Sequence, residues 1–152
     1  MTDRLFTFHP RILALMAGVM GLSLVAVFGV IWVRLPASSR DSFSWFQRIT
    51  LLVFFGAILW ILYRMTTLRV TAYADGLRVR NVFKSYTLTW AEISGLRFRS
   101  GDAWLQLFDA DGNRIGILAI QAAEGARASR AAKELAAVAR DHGAGANRPP
   151  RS

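Results

Sequence analysis

Few residues in this chain have the type and spacing for acid–base or ligand chemistry. Asp109, Asp111 and Asn113 alternate in DADGN, as the first ligands of a helix–loop–helix calcium site do. That site also needs flanking helices and a terminal glutamate, and no suitably placed glutamate follows Arg114 and Gly116, so the stretch reads as a hairpin turn. Trp90 and Glu92 in LTWAEI suggest a functional pair, but a structural role is preferred, with Trp90 and Ile93 packed inward and Glu92 capping a turn or meeting an arginine. His9 and His142 stand near opposite ends of the chain and predict no histidine-centred metal site. No serine has a nucleophile's setting, and neither ADGLRVRN nor DADGNRIG opens a helix as a phosphate-binding loop does. With Cys 0, disulfides, thiolate ligands and cysteine nucleophiles are excluded. The chain is therefore read as a non-enzyme with no catalytic residue, metal or cofactor.

What remains is positive charge. The formal charge is +9, from 19 basic and 10 acidic residues, which favours anionic neighbours. Between Leu68 and Arg99 stand Arg69, Arg78, Arg80, Lys84, Arg97 and Arg99, against only Asp75 and Glu92. Strand alternation puts Arg78 with Arg80, and Arg97 with Arg99, on polar faces. If those strands are neighbours, the arginines form a positive stripe facing anionic lipid or a partner. Anionic lipid attracts such residues by about 1 kcal/mol each near the surface. The plainer role of the same charges is to keep a juxtamembrane face soluble and oriented. Nucleic acid is not expected, because no aromatic platform accompanies the arginines.

The elements that position these residues fall into two halves. Residues 12–33 carry no charge and, as a helix, extend about 33 Å, enough to cross a bilayer. The run ends in Ile31, Trp32, Val33 and Arg34 rather than in the small residues of a cleavage site, so it reads as a retained helix. A second run, residues 49–63, is short for a span, and its helix is expected to begin earlier, giving 45–64. Arg48 and Arg64 would then reach opposite interfaces, with Trp45, Phe46, Trp60 and Tyr63 in the aromatic belts. Neither run contains an acidic residue, lysine or histidine, which argues against an ion pathway. Arg4, Arg11, Arg64, Arg69, Arg78, Arg80 and Lys84 outnumber Arg34, Arg40 and Arg48 near the helix ends. Both termini are accordingly expected on the cytoplasmic side of the plasma membrane, with residues 1–11 as an N-terminal tail and 34–44 as an external loop.

Beyond Arg64 the period changes to two. Leu68, Val70 and Ala72 alternate with Arg69, Thr71 and Tyr73, and Leu77 and Val79 with Arg78 and Arg80, around an Asp75–Gly76 turn that favours positive φ at both central positions. Further short strands follow through Tyr86–Trp90, Ile93–Phe98, Trp104–Phe108 and Arg114–Ile120, forming a meander that must bend or close to protect its edges. An alanine-rich helix with Leu135 and Val138 on one stripe follows, stopped by Gly143, and residues 143–152 are expected to be disordered.

YADGLRVRN, LTWAEISGLRF and the terminal helix resemble the bacterial PH-like domains of small actinobacterial membrane proteins, including the low-molecular-weight protein antigen type. The resemblance covers residues 67–142 and rests on the DGL turn at Asp75, Gly76 and Leu77 and the W-x-E-I of Trp90 to Ile93. It implies a membrane helical hairpin plus a mainly β (α+β) domain, a PH-like β-roll of two antiparallel sheets capped by a C-terminal helix. It implies no catalytic residues, and its setting is the cell envelope. The expected function is a membrane-tethered interaction or scaffold domain that binds a protein partner or itself. The alternatives are an anionic-lipid-sensing adaptor and a small accessory subunit of a transport complex.

Overall fold

The computed structural model describes residues 3–145. Most of the tail expected at 143–152 lies outside them. The elements run β1 (Arg4–Phe8), α1 (Arg11–Arg34), α2 (Ala37–Ser42), α3 (Trp45–Thr66), β2 (Arg69–Tyr73), β3 (Gly76–Arg80), β4 (Ser85–Thr89), β5 (Ile93–Arg97), β6 (Trp104–Asp109), β7 (Arg114–Gln121) and α4 (Ala126–Asp141). Two antiparallel sheets form, one ordered β1-β2-β3-β4 and the other β5-β6-β7. The two apolar helices, the pair of sheets and the C-terminal helix agree with the expected fold class.

The first strand was not expected. Residues 4–8 read from sequence as part of a tail, yet Phe6 pairs with Ala72 and Phe8 with Val70, and both phenylalanines are buried. The sheet thus takes one strand from before the helical hairpin and the rest from after it. His9 Nδ1 lies 2.8 Å from the Leu68 carbonyl, so the two crossings between hairpin and sheet sit side by side.

The helices α1 and α3 pack antiparallel along a narrow seam. Ala17 and Leu62 are buried in it, Phe28 meets Phe55 at 4.3 Å between ring centroids, and Gly21 faces Leu62 and Leu59. A Cβ at Gly18, Gly29 or Gly56 would have open space, and one at Gly21 would make ordinary contact with Leu62 at 3.6 Å, so the helix packing requires none of these glycines. Outside the seam both helices expose apolar residues, among them Leu15, Val19, Leu22, Leu52, Val53 and Phe54. Each helix is long and apolar enough to cross a membrane. At the far end Ser44 and Gln47 form a reciprocal cap on α3, and Arg48 donates to the Arg40 carbonyl.

The core of the soluble part lies between the sheets and α4. Leu68, Val70, Leu77, Val79, Ile93, Leu105, Leu107, Ile117, Ile120 and Leu135 are almost fully buried. Small residues at Ala128, Ala131, Ala132 and Ala139 let α4 lie close on this surface, which explains its composition. Gly143 adopts φ 87°, and its N–H donates to Arg140 while that of Ala144 donates to Ala139, a glycine-terminated C-cap.

Strand pairing corrects the reading of the first turn. Tyr73 pairs with Gly76, so Ala74 and Asp75 are its central residues, and Gly76 is not among the glycines with positive φ. Gly76 is required for another reason: a Cβ there would stand 2.2 Å from the Leu88 carbonyl oxygen on β4. Gly76→Ala must part β3 from β4, and overpacking of this kind costs about 1–3 kcal/mol. Thermal unfolding of that variant should show the loss, and an unchanged midpoint would refute the steric account. The turn at 109–113 does form as a hairpin connection, with Gly112 at φ 84° and Asp109 accepting from the Asn113 backbone and side chain. That bond from the Asn113 side chain, chiefly, holds the Asp109 carboxyl below its usual range. Any stability it gives is present above the unfolded-state pKa and lost as pH falls through the folded one.

Candidate functional site

The four positions singled out as a signature converge on one corner. Asp75 is exposed on the turn between β2 and β3, Gly76 admits β4, and Trp90 is buried with its indole N–H donating to the Tyr73 and Ala74 carbonyls at 3.0 and 3.2 Å. Trp90 thereby holds that turn shut while its ring stands 5.7 Å from that of His142, at the end of α4. Residues Trp90–Glu92 form a single 3-10 turn in which Thr89 N–H and Oγ1 donate to Glu92 Oε2 at 2.7 and 2.8 Å. These bonds hold the Glu92 carboxyl below its usual range. The turn carries the chain from one sheet to the other, and Ile93 starts β5 fully buried. This corner is architectural.

The basic residues separate into two groups. On the outer face of the first sheet, Arg69 stands directly opposite Arg80, and Arg80 opposite Ser85; one step along, Thr71 faces Arg78 and Arg78 faces Thr87. Arg69, Arg78 and Arg80 are exposed, and among the described residues none of them enters an ion pair. Arg78 lies over the Tyr73 ring at 5.6 Å. Like charges directly across an antiparallel pair disfavour the sheet, so the Arg69–Arg80 pair is a position that an anion would relieve.

Arg97 and Arg99 do not join them. They lie on or after β5, which is hydrogen-bonded into the other sheet, so the condition for one continuous stripe fails. Arg97 donates to Gln106 Oε1 at 2.8 Å, stands 3.8 Å from Asp102 and covers the Phe108 ring at 5.4 Å. The Asp102 carboxylate also accepts from the Arg99 backbone. Part of the charge here is already answered within the chain.

Lys84 closes the β3–β4 hairpin, where the Asn81 N–H donates to its carbonyl. Asn81 follows Leu77 and Val79 in the alternation of β3. Its side chain donates to the Gly116 carbonyl at 2.7 Å and accepts from the Leu118 N–H, clamping the hairpin to β7. A lone asparagine at a strand end gives no signal for such a distant clamp.

A groove of about 480 Å³ runs between β5 and α4, with Ile93, Leu96, Ala136 and Ala139 on its floor and Lys133 and Arg140 on its rim. The Gly145 N–H donates to the Ile93 carbonyl at 2.8 Å, so the chain after α4 already uses the outer side of β5. Among the described residues there is no cluster of three or more His, Asp or Glu able to hold a metal ion.

Comparison with family models matches residues 67–137 to the Bacterial PH domain family. Comparison with curated proteins and with solved structures gave no match. The matched segment contains β2 to β7 and most of α4, while β1 lies outside it on the other side of the helical hairpin. Residues 67–137 are therefore similar to the bacterial PH domain family, and in this chain the matched strands are joined by one from before two apolar helices.

Proposed function

We propose that the chain is a membrane-tethered PH-like interaction module, its domain held at the cytoplasmic face of the plasma membrane by α1 and α3 and binding a protein partner or a second copy of itself. One observation supports this above the others: the hairpin exposes apolar side chains all along its length while its two ends are built into the sheet of an interaction domain. Lipid covers such a surface at no cost in exposed backbone, because all the backbone bonds of a helix are internal. Because β1 pairs with β2, both helices meet the domain on one side, which fits two termini in one compartment and α2 in the other.

A specific observation also favours anionic headgroups as a ligand. Arg69 and Arg80 sit where β2 leaves α3, and Arg78 is two residues, about 7 Å, further along β3. With the surface level with Arg69 and Arg80, Arg78 falls within roughly one Debye length of it, about 8 Å at physiological ionic strength.

Gentle extraction of the full chain from its native membrane, with cross-linking and mass spectrometry, separates these readings. The parallel sample carries Arg69→Gln, Arg78→Gln and Arg80→Gln. A reproducible protein partner or self-cross-link in both samples is the expected result. Loss of co-extracted anionic lipid in the variant, with no protein partner in either sample, would replace the scaffold reading by the lipid one.

A further inference from the structure

We infer that the β3–β4 hairpin tip is a second membrane contact, inserting Phe83 into the bilayer interface beside Trp60. The inference rests on the tethered reading above and gives the domain a fixed orientation on the membrane.

Four contacts place the tip. Arg64, in the last turn of α3, donates from Nε to the Val82 carbonyl at 2.7 Å and from Nη2 to the Asn81 carbonyl at 3.5 Å. Its guanidinium also lies over the Trp60 ring at 5.9 Å from the centroid. The Phe83 ring meets the Trp60 ring with centroids 6.2 Å apart. Arg64 thus clamps the hairpin to the helix, and Phe83 reaches back along α3 by one further turn, about 6 Å toward its middle.

That position is unusual for a soluble loop. Val82 is buried, but Phe83 is 71% exposed, its neighbour Trp60 is 52% exposed, and Tyr63, three residues on in α3, is 63% exposed. The three rings continue the apolar surface of α3, with Lys84 exposed next in the hairpin. An aromatic cluster ending an apolar helix, flanked by cations, has the composition of a headgroup boundary. If α3 spans the bilayer with Trp60 and Tyr63 in that boundary, Phe83 shares their depth. The bilayer is the occupant the geometry favours, because the patch is continuous with the helix that lipid already covers.

The chain has Cys 0, so single cysteines can be placed without removing others. Phe83→Cys, Phe54→Cys in the middle of α3 and Ala74→Cys at the opposite end of the β2–β3–β4 meander are each made in the full chain. Each is spin-labelled and reconstituted into phosphatidylcholine–phosphatidylglycerol vesicles. Oxygen, which concentrates in lipid, and a water-soluble nickel chelate are used as relaxers. The expected oxygen-to-nickel accessibility ratio is several-fold higher at 83 than at 74, with 54 higher still. A water-like ratio at 83 with a lipid-like ratio at 54 overturns the inference and leaves the tether standing. Low accessibility to both relaxers at 83, with 54 lipid-like, overturns it in favour of a protein covering the tip. A water-like ratio at 54 removes the tether and the inference together. Thermal unfolding of each labelled protein verifies that the fold survives, and replacing Phe83, which is exposed, empties no core site.

Discussion

A soluble chain that joins residues 3–9 to Thr67 through a short Gly/Ser linker is expected to fold, whereas residues 67–145 alone are expected to remain unfolded or aggregate. The linker replaces the whole helical hairpin. It needs little reach, because His9 Nδ1 stands 2.8 Å from the Leu68 carbonyl and Phe8 pairs with Val70. About four flexible residues extend up to ~13 Å, ample for that gap. Without β1, the slots filled by Phe6 and Phe8 are empty and β2 becomes an open edge. Emptying a buried phenylalanine site costs about 3–5 kcal/mol, so two cost roughly 6–10 kcal/mol if additive. A domain of this size has only about 5–15 kcal/mol in total. An unpaired apolar edge also invites strand addition between chains. Far-UV circular dichroism with denaturant titration of the two chains decides it. A cooperative, monomeric transition for residues 67–145 alone would mean that β1 is an accessory strand.

The same geometry shows what could be read locally and what could not. The alternation through Val70, Ala72, Leu77 and Val79 was legible because one face of each strand is buried and the other wet, which fixes a period of two. The helix α4 was legible from its buried alanines and Leu135, and the apolar helices from length and lack of charge. Strand β1 was not, although RLFTF alternates in the right way. It is five residues long, and its partner lies some sixty positions away, beyond two helices. The signal available was Phe6 and Phe8 flanking Thr7, halted by Pro10.

The arginine surface was half legible. Alternation correctly puts Arg78 and Arg80 on a polar face, but it carries no information on which sheet a strand joins. That is decided by the 3-10 turn at Trp90–Glu92, which diverts β5 away from β4 and leaves Arg97 to Asp102 and Gln106. Gly76 is the converse case. It was read as a central turn residue tolerant of positive φ, whereas its place in the fold is set by the approach of a neighbouring carbonyl.

Replacing Glu124 is expected to have the largest effect of any single change at the junction between domain and hairpin. α1 begins poorly by its own sequence: Pro10 offers no side-chain cap, Arg11 is basic where the helix dipole favours an anion, and the first turn has no acidic residue. The missing anion comes from Glu124, in the 3-10 turn after β7. Its Oε1 accepts from the Ile12 and Leu13 N–H groups at 2.8 and 3.2 Å, and its Oε2 accepts from Arg127 Nη1 at 2.6 Å. Glu124 is 3% exposed, while Arg127 also lies over the Phe8 ring at 5.1 Å. The Glu124 carboxylate therefore ties the start of α1 to the start of α4, and Arg127 extends that link to Phe8 in β1. Glu124→Ala leaves two backbone donors without their partner, the Arg127 guanidinium without its anion and a small void, a combination expected to cost about 2–4 kcal/mol. Glu124→Gln keeps an acceptor for the helix N–H groups but loses the charge, and should cost about half as much. Thermal unfolding in detergent gives the ranking, and amide hydrogen exchange at Ile12 and Leu13 gives the location. Fast exchange there in Glu124→Ala, with the middle of α1 unchanged, is the expected pattern. Equal stability of all three proteins would show that the hairpin is attached to the domain only through the chain itself.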